Sequence, residues 1–169
     1  VGALLPEGAV VVNEALTSGR SLFAMTADAA PHDWLELTGG SIGIGIPLAT
    51  GAAVACPDRR TVCLQADGSG MYTLQGLWTQ ARENLNVTTV IYANRAYAIL
   101  RQELANLGVS EPGRNATDMM DLGRPDLDWV SLAQGMGVEA TRVTNTKKFN
   151  DAFEASLGRS GPFLIEAVI

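Results

Sequence analysis

Aromatic residues make up only 6% of the 169 positions, and charged residues only 18%. So few rings argue against a β-sandwich, whereas 47% hydrophobic content with 18 glycines suits close-packed α/β layers. Cysteine is confined to Cys56 and Cys63, in apolar surroundings and without metal-ligand spacing. That excludes a disulfide scaffold and a zinc ribbon, and the pair reads as reduced core residues of a cytoplasmic protein. Basic residues are in deficit, 12 against 18 acidic ones, for a net charge of −6. Nucleic acid and anionic membranes therefore have no electrostatic claim on the chain. No apolar run is long enough to span a bilayer, and Val1 to Ala9 lacks the basic-then-apolar form of a signal peptide. Internal repeats and low-complexity tracts are also missing. The opening, without an initiator Met and in mid-pattern, reads as a piece of a longer chain.

What is present is an alternation of short β-rich runs and helical stretches. Strands are expected at Val10–Asn13, Thr61–Ala66, Val87–Ala93, Val138–Val143 and Phe163–Val168. Helices are expected near Ser18–Met25, Ile44–Ala55, Leu74–Glu83, Tyr97–Leu104, Leu127–Met136 and Thr146–Leu157. Gly158 and the Gly161-Pro162 pair stop the last helix before the closing strand. Gly108–Pro125 is polar, without a clean period, and is expected to be one long irregular segment. The alternation predicts a single domain, residues 1–169, of the α/β class: a doubly wound, mainly parallel sheet with helices on both faces. Ligands of such sheets gather where strands end and helices begin. That directs attention to Asn13–Ser18, Ala66–Met71 and Asn94–Tyr97.

Ala66-Asp67-Gly68-Ser69-Gly70 follows an apolar strand and precedes a helix. The glycines allow close backbone approach, the helix start offers N–H groups to an anion, and Asp67 offers a hard oxygen to a divalent cation. Alone the segment also fits an ordinary turn. Asn94 stands 27 positions after Asp67, at the end of the next expected strand. One strand–helix–strand unit places the two on adjacent strand ends at one edge of the sheet. A carboxylate, an amide oxygen and a nearby backbone carbonyl form the all-oxygen set that magnesium takes, with phosphate oxygens and water completing it.

These residues resemble the signature of the thiamine diphosphate-dependent decarboxylases and carboligases, Gly-Asp-Gly, about 25 residues, then Asn-Asn. The resemblance implies Asp67 and Asn94 as Mg2+ ligands through their side chains and Ala96 through its carbonyl. Gly68, Ser69 and Tyr97 would border the diphosphate. Gly39-Gly40-Ser41-Ile42-Gly43-Ile44-Gly45-Ile46-Pro47 resembles the family's stretch running into a buried helix. Ile42 would be the apolar strut that bends the cofactor, and the Gly40 carbonyl would accept a hydrogen bond from its exocyclic amine. Asn13-Glu14-Ala15-Leu16-Thr17-Ser18 matches the first strand–helix junction; Thr17 or Ser18 would touch the diphosphate, or Thr17 would cap the helix. The match extends through Pro125-Asp126-Leu127-Asp128-Trp129 to Phe163-Leu164-Ile165-Glu166. Ala66 and Ala93 replace the first Gly and the first Asn of the signature, at positions whose side chains hold no metal.

Asn94-Arg95-Ala96-Tyr97-Ala98-Ile99-Leu100-Arg101 resembles benzoylformate decarboxylases and acetolactate synthase-like proteins. Ile99 and Leu100 would form an apolar wall along the substrate, a small 2-keto acid. In this family the activating glutamate sits on a pyrimidine-binding domain, which no stretch here resembles, so no catalytic residue is expected within the chain. That domain, of the same or a second chain, is the expected partner, in a homodimer or homotetramer, and the isolated domain is expected to be inactive. The implied function is thiamine diphosphate binding within an acetolactate synthase-like carboligase. The alternatives are a benzoylformate decarboxylase-like enzyme and a non-catalytic module on the same scaffold. A nicotinamide-dependent oxidoreductase is disfavoured, because the first strand is followed by no Gly-x-Gly-x-x-Gly. His32 reads as a loop or interface histidine. Met119, Met120 and Leu122 are open between substrate cover and packing, and Asp118, Asp121, Asp126 and Asp128 read as caps and solvated loop rather than a metal site.

Overall fold

The computed structural model describes residues 1–169. Six parallel strands form one sheet: β1 (Val10–Glu14), β2 (Asp33–Glu36), β3 (Thr61–Ala66), β4 (Val87–Ala93), β5 (Glu139–Val143) and β6 (Phe163–Val168), in the order β2-β1-β3-β4-β6-β5. The three strands β1, β3 and β6 are apolar with few breaks because both faces of the sheet are covered. The helices are α1 (Leu22–Met25), α2 (Gly45–Ala55), α3 (Asp67–Gly70), α4 (Gly76–Arg82), α5 (Ala98–Asn106), α6 (Arg114–Met119), α7 (Trp129–Gly135) and α8 (Thr146–Leu157). None is long and apolar enough to cross a membrane.

Alternate residues of each strand feed two cores. Val11, Val62, Leu64, Val90 and Ile165 pack with Phe153 of α8 on one face. Val12, Cys63, Ile91 and Leu164 pack with Ile46, Leu77 and Trp129 from α2, α4 and α7 on the other. Each such side chain contributes about 1.5–3 kcal/mol by leaving water. Side-chain caps fix two of the covering helices: Asp128 accepts from Ser131 N–H at 3.2 Å, and Asn145 from Lys148 N–H at 2.9 Å.

The doubly wound parallel architecture agrees with the sequence reading; three local features do not. Strand β2 was not expected. It is a four-residue edge strand with acidic ends, paired only to β1, and edge positions tolerate such polarity. The helix expected at Ser18–Met25 is instead a 3-10 turn, Leu16–Gly19, followed by the single turn of α1. Gly19 permits that tight turn, since a methyl there would lie 2.8 Å from Ala15 Cβ. The segment expected to be irregular, Gly108–Pro125, contains α6. Because β2 leaves to one side of β1 and β3 joins on the other, β1 and β3 flank a topological switch point.

Candidate functional site

The carboxyl ends of β1, β3 and β4 meet beside this switch point. From β3 the chain turns at once into α3, in which Asp67, Gly68, Ser69 and Gly70 are all buried. Two glycines make that possible. A methyl on Gly68 would stand 2.6 Å from the Tyr97 ring and 3.1 Å from Leu122, and one on Gly70 would stand 2.8 Å from the Trp129 ring. Asp67 accepts the Gly68 N–H at 2.9 Å with one oxygen and the Arg95 N–H at 2.7 Å with the other. The carboxylate thus ties the end of β3 to the end of β4. Arg95, at φ 56°, and Leu16, at φ 50°, both occupy the left-handed region, a costly conformation for residues with side chains, just past the ends of β4 and β1, the two strands that flank β3.

Asn94 turns its amide oxygen to the Ala96 N–H at 3.0 Å. Ala96 lies opposite Asp121 in an isolated antiparallel bridge built from Tyr97 N–H to Met120 O and Leu122 N–H to Arg95 O. The carbonyl of Ala96 accepts no hydrogen bond within the chain. It is therefore free for an outside ligand. A cavity of about 20 Å³, room for one ion or water, is lined by Asp67, Gly68, Ser69, Asn94, Ala96 and Tyr97 together with Thr17 and Ile99. Burial pushes the Asp67 carboxyl above the usual carboxylate range, and the N–H groups of Arg95 and Gly68 offset this only in part. A cation in the cavity would relieve that penalty.

Eight of the twelve expected site residues thus line one cavity, and Leu16, Ala66 and Ala98 join them. Four do not reach it. Ser18, half-buried in the 3-10 turn, is not part of its wall, and Leu100 faces outward on α5, 49% exposed. Gly40 and Ile42 sit on the separate loop that leads into α2, Gly40 exposed at φ 70° and Ile42 half-buried. Thr17 makes no capping hydrogen bond, so its helix-cap alternative falls away.

Glu14 and Gln65 had no assigned role, yet both side chains are buried behind α3. Glu14 accepts from the N–H groups of Gly43 and Gly45 and from Gln65, whose amide also donates to the Ser69 hydroxyl at 2.5 Å. The available signal was a carboxylate and an amide ending two strands that are otherwise apolar. His32 hydrogen-bonds the carbonyl of Ala30 at 2.8 Å, as a loop histidine does. The aspartates are spoken for: Asp118 and Asp121 pair with Arg124, Asp126 with Arg95, and Asp128 caps α7. Met120 is buried, Met119 is exposed and Leu122 packs against Gly68. A larger groove, about 430 Å³, lies elsewhere between Leu22, Tyr92 and Phe149; it is mainly apolar and gathers no convergent polar set.

Residues 19–167 match the family model of the thiamine pyrophosphate enzymes, C-terminal TPP binding domain. The chain belongs to this family. A Mycobacterium tuberculosis protein that carries the name of an acetolactate synthase large subunit is 58% identical over the whole chain. The benzoylformate decarboxylase of Pseudomonas aeruginosa is 29% identical over 98% of it. Among solved structures, the thiamine diphosphate-dependent 4-hydroxybenzoylformate decarboxylase of Rhodococcus jostii RHA1 superimposes with a TM-score of 0.87 at 32% identity, over 98% of this chain and 30% of that one. The chain spans about a third of the length of its relatives, 33% and 30% of the two named first. The thiamine diphosphate-binding fold is thereby established.

Proposed function

We propose that the chain binds thiamine diphosphate through Mg2+ as the C-terminal domain of an acetolactate synthase-like 2-keto acid carboligase. The observation that carries this reading is the convergence of Asp67, Asn94 and the free Ala96 carbonyl on one ion-sized cavity. The residues fit the group. All three donors are oxygens, as a hard cation requires. The buried carboxylate has N–H donors but no side-chain cation among its partners.

In this reading Asp67 and Asn94 hold the metal through side chains and Ala96 through its carbonyl. Gly68, Ser69 and Thr17 border the diphosphate, and Tyr97 closes the cradle over Gly68. On the neighbouring loop, Ile42 would set the bend of the cofactor and the Gly40 carbonyl would receive its exocyclic amine. Ile99 would exclude water beside the reactive carbon, and Leu100 would meet substrate or partner beyond it. When bound, thiamine diphosphate supplies the nucleophilic carbon and the electron sink for decarboxylation of a 2-keto acid. The glutamate that activates it comes from a pyrimidine-binding domain of the same or a second chain, in a homodimer or homotetramer. No activity is expected from these 169 residues alone. The two free cysteines, one of them fully buried, favour the cytoplasm.

A second reading, a benzoylformate decarboxylase-like enzyme, is favoured by the close superposition on such decarboxylases. Calorimetry with thiamine diphosphate, with and without Mg2+, tests the shared part of both. Metal-dependent binding that disappears in Asp67→Ala is expected. Equal binding by the variant would refute the site, and no binding by either would leave the scaffold as a non-catalytic module. Joined to its pyrimidine domain, the protein is expected to form acetolactate from pyruvate; release of benzaldehyde from benzoylformate would select the second reading.

A further inference from the structure

Behind the cofactor cavity lies a polar chain that the proposed binding roles leave unused. Glu14 ends β1 with 1% of its surface exposed, and it has no lysine, arginine or histidine partner. A buried carboxylate without a counter-ion is costly unless N–H groups replace its water. Three do so. One oxygen accepts the Gly43 N–H; the other accepts the Gly45 N–H at 2.5 Å and the Gln65 side-chain amide at 3.1 Å. Gly45 opens α2, a helix with no side-chain cap of its own, so Glu14 serves it as a cap contributed from another strand.

The same carboxylate reaches in two directions. Toward the loop, it holds Gly43 by its N–H while Thr73 holds the Gly43 carbonyl at 2.8 Å. Gly43 has φ 96°, and a methyl there would be 2.8 Å from Tyr72 Cβ, so the backbone has one fit. Ile42 is the next residue and inherits its position from that clamp. Toward the cavity, Gln65 pairs with Glu14 across β1 and β3 and passes its amide to the Ser69 hydroxyl at 2.5 Å. A methyl on Gly45 would fall 2.1 Å from Gln65 Oε1, so the three groups close on one another without spare volume.

We infer that Glu14 is a positioning residue that sets both ends of the cofactor site at once, the Ile42 loop directly and the Ser69 hydroxyl through Gln65. The inference rests on the cofactor reading above for its purpose, while the coupling itself is a property of this chain. A simple helix cap would steady only Gly43–Ile46. A positioning residue also steadies Ala66–Gly70, a segment it never touches directly.

Hydrogen exchange of the full chain without ligand separates the two roles. In Glu14→Ala, exchange is expected to rise about 10-fold, the worth of a lost charge-assisted bond, in both 39–45 and 66–70. In Gln65→Leu it should rise in 66–70 alone. Acceleration confined to 43–46 in Glu14→Ala reduces the residue to a cap and overturns the inference. If Glu14→Ala does not fold, Glu14→Gln keeps the volume and loses an acceptor, and the same two segments decide. Calorimetry then reads the purpose. Thiamine diphosphate with Mg2+, which engages both ends, should lose more affinity in Glu14→Gln than inorganic diphosphate with Mg2+ does. Gln65→Leu should weaken the two ligands equally, and the reverse pattern would also overturn the inference. A wild-type chain that binds neither ligand refutes the cofactor reading and leaves the exchange result to judge the coupling.

Discussion

Two segments leave the same edge of the sheet from neighbouring strands, and they are packed in opposite ways. After β3, all four residues of α3 are buried, wedged between Tyr97, Leu122 and Trp129. After β4, α5 buries none of its nine residues. The contrast divides the site into a part whose shape this chain dictates and a part whose shape it leaves to contacts outside itself. The proposed metal and diphosphate contacts lie in the first; the proposed substrate wall, Ile99 and Leu100, begins the second. An anchor for a small, highly charged group must hold its donors to a fraction of an ångström, which buried backbone does well. A wall for a variable substrate tail needs no such rigidity.

Substitutions can break this contrast or sharpen it. The largest effect is expected from Trp129→Ala, which removes a fully buried ring from beneath Gly70. It should cost about 3–5 kcal/mol in urea unfolding. Gly68→Ala should cost about 1–3 kcal/mol, because the new methyl meets the Tyr97 ring and the cavity wall has to shift. A loss as large from an α5 substitution would erase the distinction between the two segments.

Asp67→Asn probes the anchor from the electrostatic side. The folded Asp67 carboxyl titrates above its ordinary value of 3.8, so between that value and the folded one the folded chain binds more protons than the unfolded. Metal-free stability therefore falls as pH rises through this window, and above it the cost of a buried charge is fully present. The Asn variant removes that cost. Its metal-free unfolding midpoint near pH 7 should exceed the wild type's, with a flatter acid limb. Mg2+-dependent binding of thiamine diphosphate should weaken by at least about 10–100-fold, the loss typical even for a partner outside the ligand set. A variant less stable at neutral pH would show that the two N–H bonds outweigh burial. The smallest effect is expected on α5: Leu100→Ser, at a residue 49% exposed, should change stability by less than about 0.5 kcal/mol in the same urea experiment.

The legible parts of the structure were those in which local chemistry and global fold agree. Central strands such as Thr61–Ala66 announce themselves because both faces are buried, and Asp67 and Asn94 lie where any parallel sheet gathers ligands. Strand β2 was hidden because Asp33 and Glu36 make an edge strand look like a loop; its pairing depends on β1, which is distant in sequence. The Leu16–Gly19 turn was hidden because Gly19 must pass against Asn13 and Ala15, a contact visible only in three dimensions. Glu14 was hidden for a similar reason. Its partners Gly43, Gly45 and Gln65 come from separate parts of the chain, so no spacing rule points to them. The cavity could be located from sequence, but the posts supporting it could not.

The strand order has one more effect, and it concerns time rather than shape. β5 precedes β6 in the chain, yet it touches the sheet only through β6, which lies between it and β4. As the chain is synthesised, β5 has no strand to pair with until Phe163–Val168 has arrived and paired with β4. The first four strands can assemble early, while the β5 edge waits for the last strand. Such late, long-range closure is slow and leaves a sheet edge open to wrong partners meanwhile. Substitutions within β6 should therefore slow folding more than equally destabilising ones in β2.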